Sequence, residues 1–157
     1  MQFKTAVFFI TLVLTLVPVS HAQQISNTRE LNFGKIAQPA SGSVSVVVNR
    51  NSSIGGGTSA IILDSSAVSA GRDKITGSGK KTVQISLLDC SSNSGLGLQI
   101  KDFKARYGGT NFTNSANGLS PPKRKGKNLT YGATLVVNSS TPGGTLTPCY
   151  SIEVNYD

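Results

Sequence analysis

The segment PCYSIEVNYD, residues 148–157, guides the interpretation of the whole sequence. Within it, Tyr150, Ile152, Val154 and Tyr156 alternate with polar residues. A period of two places these four side chains on one face of a β-strand and the polar ones on the other. The pattern predicts a half-buried strand that pairs with another strand and covers a core.

The same alternation recurs upstream in SVSVVV (43–48), KTVQISLL (81–88), LGLQIKDF (96–103) and YGATLVV (131–137). Clusters rich in Gly, Asn, Ser and Pro separate these segments, and each of these residue types favours turns. No helical period longer than about ten residues is found. The sequence therefore predicts an all-β fold of roughly seven to nine antiparallel strands in two facing sheets.

The first 22 residues have the features of a secretory signal peptide. Lys4 supplies a positive charge, residues 6–17 are apolar, and small residues stand at Ser20 and Ala22 before the expected cleavage. The alternative, a membrane anchor, is disfavoured because the apolar run is short for a span. We expect residues 23–157 to form one domain that is exported to the periplasm, the cell surface or the extracellular space.

Two cysteines remain after that cleavage, Cys90 and Cys149. In an oxidising compartment an even pair favours one disulfide over two free thiols. A zinc site is disfavoured, because His21 is the sole histidine and would be removed with the signal peptide.

The residue inventory disfavours an enzyme. Without His21 the chain has no histidine, so neither a Ser-His-Asp triad nor a Cys-His pair can form. Paired carboxylates remain open, but Asp64, Asp73 and Asp89 stand beside turn clusters and are expected on the surface. No cofactor is implied.

The chain is basic, with 15 Lys and Arg against 7 Asp and Glu. Its densest basic stretch is PPKRKGK, residues 121–127, which carries Lys123, Arg124, Lys125 and Lys127. We interpret it as a contact for an anionic glycan or lipid, or as a solvated loop; export argues against nucleic acid. Four N-x-[ST] triplets, at Asn51, Asn111, Asn128 and Asn138, are acceptors for glycans only in a eukaryotic host.

Three segments together resemble an uncharacterised family of small bacterial exported domains, a domain of unknown function. They are LNFGKI (31–36), KITGSGKKTVQISL (74–87) and YGATLVVNSSTPGGTL (131–146), which leads into the terminal strand. The resemblance implies an immunoglobulin-like β-sandwich and supplies no catalytic site. The sequence TPCYS before the last strand departs from the family pattern.

The terminal strand also resembles that of chaperone–usher pilus subunits, which have a penultimate aromatic residue and a glycine fourteenth from the end. Tyr156 and Gly144 occupy those positions. Such subunits associate when the N-terminal segment of one completes the sheet of another, and Ile25, Leu31 and Phe33 are the candidate donor residues here. The alternative is that this segment pairs within its own chain.

These observations predict a non-enzymatic exported structural or adhesive protein, a subunit of a pilus-like or fimbria-like surface fibre, whose partners are like subunits. The alternative is a self-complete secreted or periplasmic module that binds anionic glycan or lipid.

Overall fold

The structure, a computed structural model, describes residues 24–77 and 80–156. It contains eleven strands and one helical turn: β1 (Gln24–Arg29), β2 (Lys35–Ile36), β3 (Ser43–Val48), β4 (Ile62–Asp64), β5 (Gly71–Thr76), β6 (Val83–Asp89), α1 (Ser92–Gly95), β7 (Leu98–Tyr107), β8 (Thr110–Thr113), β9 (Ser115–Leu119), β10 (Lys127–Asn138) and β11 (Tyr150–Tyr156). The all-β prediction is confirmed. The expected seven to nine strands were too few, because short strands such as β2 and β4 carry too few residues to show alternation.

Strand β10 organises the larger sheet, whose order is β1-β5-β10-β7-β8, with β3 also pairing β10. One edge of β10 pairs with β7 along most of its length. The other edge pairs first with β5 and then, from Ala133 onward, with β3. Gly132 stands at this junction, where a Cβ atom would overlap the backbone carbonyl oxygen of Val48. Two strands can therefore share one edge of β10 because residue 132 has no side chain.

A smaller sheet, in the order β11-β6-β9, faces the larger one. Its central strand β6 buries Val83, Ile85 and Leu87, as their alternation predicts. These side chains join one core cluster with apolar residues of β7 and β10. The two antiparallel sheets thus form a β-sandwich. A third pairing, between β2 and β4, lies outside both sheets.

The alternation of buried and exposed residues on β7 shifts by one residue part-way along the strand. Leu98 and Ile100 are buried, but beyond them the buried positions are Phe103, Ala105 and Tyr107. The register against β10 shifts at this point, and Asp102 adopts a positive φ of 53°. A bulge of this kind inserts one residue, so the side chains after it return to the core.

Candidate functional site

The start of β11 is fixed to the end of β6 by a disulfide between Cys90 and Cys149, as predicted, with Cα atoms 5.4 Å apart. The side chain of Asn93 reinforces this link from α1. Its amide nitrogen donates to the Cys149 carbonyl at 2.6 Å and also to Asp89, and its amide oxygen accepts from the Cys149 backbone N–H at 2.8 Å. A covalent bond and a buried amide therefore hold the same residue in place.

From that point β11 runs as a regular edge strand. It pairs with β6 over seven consecutive residues without a register shift. In the part of the chain that the structure describes, no strand pairs with its other side. The side chains that face the core, Tyr150, Ile152 and Val154, are only partly buried. By contrast, Leu87 and Ile85 of β6, which pair with Ile152 and Val154, are fully buried. The sandwich is thus incompletely covered along β11.

Two other sheet edges, those of β3 and β8, are protected in ways that β11 is not. The outer edge of β3 is covered by residues 55–60, which bond to it through backbone groups and through the hydroxyls of Thr58 and Ser59. Strand β8 is only four residues long. Long, regular and uncovered edges present a row of free N–H and C=O groups to any strand that approaches. Strand β11 is such an edge, and Glu153 is its only charged residue.

A groove of about 580 Å³ lies beside the segment that leads into β11. Residues 141–148 form one wall and residues 30–38 the other, with the end of the larger sheet as the floor. Gln38 ties the wall of residues 30–38 to the turn that precedes the other wall, since its side-chain amide donates to the Ser139 carbonyl at 2.9 Å. The groove is lined by apolar side chains that include Leu31, Phe33, Leu98, Leu135, Val137 and Leu146.

The candidate donor residues pair and pack within their own chain. Ile25 lies on β1 opposite Ile75 of β5. Leu31 and Phe33 belong to the core cluster, with 9% and 5% of their surface exposed. These two could enter a neighbouring subunit only by leaving their own core, so the donor segment would have to be shorter than predicted. The alternative, pairing within the chain, is the arrangement that the structure has.

Strand β1 is weakly integrated in the fold. Five of its six residues are exposed, Arg29 is partly buried, and none is fully buried. It is held by backbone pairing to β5 and by bonds such as that from the Thr28 hydroxyl to the Arg72 carbonyl, at 2.7 Å. Releasing β1 would therefore expose little of the apolar core.

The residues that prompted the pilus comparison lie at opposite ends of β11. Gly144 is in the loop before the strand, at a φ of 119°, with open space where a side chain would be. Tyr156 is the last residue of β11, and its hydroxyl lies beside Gly77 and Pro122. The structure does not bring the two residues together, so they do not form a joint site.

The basic stretch forms an exposed loop between β9 and β10. Lys123, Arg124 and Lys125 are exposed, and the Lys123 carbonyl accepts the backbone N–H groups of Gly77 and Gly126. Lys127 is different, because its ammonium group donates to the Ser120 hydroxyl at 2.6 Å and lies 5.9 Å from the centre of the Tyr107 ring. Only three of the four predicted cations thus face solvent together.

A polar cluster lies inside the sandwich behind β11. The Tyr131 and Tyr150 hydroxyls are 3.0 Å apart, and the Tyr150 ring also packs against Phe103. Asp73, expected at the surface, is buried here with 2% exposure, because it lies on the inward face of β5. Its Oδ2 atom and the Tyr107 hydroxyl have no hydrogen-bond partner among the described residues.

Burial controls the protonation of this cluster. Desolvation raises the pKa of Asp73 above its ordinary value, and a hydrogen bond from Tyr131 opposes that rise. Desolvation, with a smaller contribution from Tyr156, raises the pKa of Tyr107 to about 12. The pKa of Tyr131 is also raised, chiefly by desolvation and to a smaller extent by its hydrogen bond with Tyr150. The strand pattern GRDKIT, in which Asp73 alternates with Arg72 and Lys74, was the sequence signal for this burial.

Across residues 24–77 and 80–156, no three His, Cys, Asp or Glu residues are grouped so that they could hold a metal ion. Within the same ranges, no helix has the length and apolarity needed to cross a membrane. The predicted signal peptide, residues 1–22, lies outside the described residues.

Residues 24–156 match the sequence model of a family described as a domain of unknown function (DUF4402). The chain belongs to this family. The match spans β1 to β11, so the DUF4402 domain of this chain includes the weakly held first strand and the uncovered last one. No curated protein and no solved structure matches the chain significantly.

Proposed function

We propose that this chain is a non-enzymatic structural or adhesive subunit of an exported surface fibre, and that copies associate by adding a strand to the open side of β11. The single observation that carries this proposal is the seven-residue edge of β11, which is regular and uncovered in the described structure. Strand addition joins chains through main-chain hydrogen bonds, and partly exposed side chains on the core face supply pockets for alternate residues of the added strand.

The donor that we propose is β1 of a neighbouring copy. It contributes no fully buried side chain to its own fold, so transferring it costs little burial. If Ile25 faces the core side of a neighbour's β11, it covers the partly buried Ile152 and Val154. The hydroxyl and amide side chains on the other face of β1 then lie beside the polar face of β11.

Sedimentation of the purified protein over a wide concentration range tests this proposal. We expect the wild-type chain to form oligomers as its concentration rises. Replacing Ser151 and Asn155 with Lys adds two charges to exposed positions of β11 and should keep the chain monomeric, because edge lysines oppose strand pairing. Ile25→Asp should weaken association from the donor side without unfolding the protein, since Ile25 is 39% exposed.

The matched control carries Thr110→Lys and Thr113→Lys on β8, which are also exposed edge positions. It changes the net charge equally but leaves β11 intact, so it should associate like the wild type. A wild-type chain that stays monomeric at every concentration would contradict strand addition. If the β8 and β11 variants lost association equally, the added charge would account for the loss, and the proposal of strand addition at β11 would also be overturned.

A further inference from the structure

The outer face of the larger sheet, which points away from the core, carries a set of basic side chains. On β5, Arg72 and Lys74 are exposed, whereas the residues that alternate with them are buried. On β7, Lys104 and Arg106 are exposed and likewise alternate with buried residues. Because alternate residues of a strand point to opposite sides of its sheet, these cations share one face.

The strand register brings three arginines of this face together. Thr130 of β10 is opposite both Arg72 and Arg106, so the two arginines flank it, roughly 10 Å apart between their Cα atoms. Arg50 reaches the same row from the loop after β3. Its guanidinium group donates to the Asn111 side chain at 2.9 Å, and Asn111 is the register partner of Arg106.

Within residues 24–77 and 80–156, none of these cations has an acidic partner. In the described residues the one ion pair within 4.0 Å joins Lys35 and Asp64, which lie elsewhere. Asp73 is on the opposite, buried side of β5. Like charges so close to one another repel, and an anionic ligand would relieve that repulsion. The outer face therefore has a charge that complements a polyanion.

We propose that this face binds a linear acidic polysaccharide through its carboxylate or sulfate groups. The planar forks of Arg50, Arg72 and Arg106 match such groups with paired hydrogen bonds. Thr130 and Asn128, which lie between the charged strands, supply neutral hydrogen-bonding groups for sugar hydroxyls.

Two other polyanions fit this face less well. Single-stranded nucleic acid is held by aromatic rings on which bases stack, and the exposed positions of β5 and β7 carry none. Apolar side chains that enter the lipid strengthen binding to a membrane surface, and no large exposed apolar residue lies on those two strands. The proposal does not depend on strand addition at β11.

Binding to polygalacturonate and to dextran sulfate, measured by titration calorimetry at physiological salt, tests the proposal, with neutral dextran as the reference. We expect both acidic polymers to bind and neutral dextran not to bind. A face variant with Arg72→Gln, Lys104→Gln and Arg106→Gln should bind at least about tenfold more weakly. Its far-ultraviolet circular dichroism and unfolding midpoint should stay close to those of the wild type, because these side chains are exposed.

The matched control is a loop variant with Lys123→Gln, Arg124→Gln and Lys125→Gln, which removes the same charge from the exposed loop. It should retain most of the affinity. An equal or larger loss in the loop variant would overturn the proposal, as would wild-type binding no stronger than to neutral dextran. Tighter binding to phosphatidylglycerol vesicles or to single-stranded DNA than to the acidic polysaccharides would refute the choice of ligand.

Discussion

Removing the disulfide should destabilise the folded chain by about 4 kcal/mol, mainly through its effect on the unfolded state. The bond joins residues 59 positions apart. The entropy of closing a loop of that length in the unfolded chain gives about 4 kcal/mol at 25 °C. Cys149 is exposed and Cys90 is only partly buried, so replacing both with Ser removes little packing. The entropic contribution should therefore account for most of the measured loss.

Guanidinium unfolding of the Cys90→Ser/Cys149→Ser variant, followed by circular dichroism, measures this loss. The denaturant dependence should also become steeper, because the uncrosslinked unfolded chain exposes more surface. Asn93 still binds the backbone of residue 149 in this variant. The protection of the β11 amides against hydrogen exchange should therefore fall by no more than the global free energy of unfolding does. A loss below about 1 kcal/mol, or unfolding confined to β11, would refute this reasoning.

Three further predictions concern other positions. Gly132→Ala should destabilise the fold by at least about 3 kcal/mol, since its Cβ meets the backbone of β3, whereas Gly56→Ala, in open space, should cost under about 1 kcal/mol; thermal unfolding of both variants checks this. Asp73→Asn should stabilise the protein at pH 7 by about 1 kcal/mol. Because the pKa of Asp73 is raised in the folded state, its contribution to the free energy of unfolding is full below about pH 4 and is lost as the pH rises through the folded pKa. The free energies of unfolding of the variant and the wild type should therefore converge in acid. A difference that stays constant across pH would contradict this. Asn93→Ala should cost about 2 kcal/mol in chemical unfolding, because it leaves both backbone groups of Cys149 without that partner, and an unchanged midpoint would disprove the role assigned to it.

Period-two alternation was enough to predict the sandwich, because each long strand has one face in the core. The buried set on β6 follows it residue by residue, and that on β10 does so except at Gly132, which is buried between two buried neighbours. It could not predict the bulge at Asp102, since nothing local distinguishes an inserted residue from a polar one. Nor could it predict that β3 and β5 share an edge of β10, which depends on contacts between distant residues at Gly132.

The candidate site was only partly accessible from sequence. The disulfide followed from two cysteines, and the terminal strand from its pattern. Whether a strand lies at an edge depends on the number of its neighbours, which alternation does not encode. The burial of Asp73 and the row of arginines on the outer face also required the register, because residues that meet across a sheet are far apart in the chain.

The crosslink between Cys90 and Cys149 has a mechanical consequence for a chain under tension. Strands β7, β8, β9 and β10 all lie between the two sulfurs. A force that pulls residues 24 and 156 apart can extend only the stretches outside that loop. The separation of 59 residues between the two cysteines, roughly 200 Å of extended backbone, stays out of reach until the bond is reduced. In an oxidising medium nearly half of the extended length between residues 24 and 156 would therefore remain inaccessible to the force.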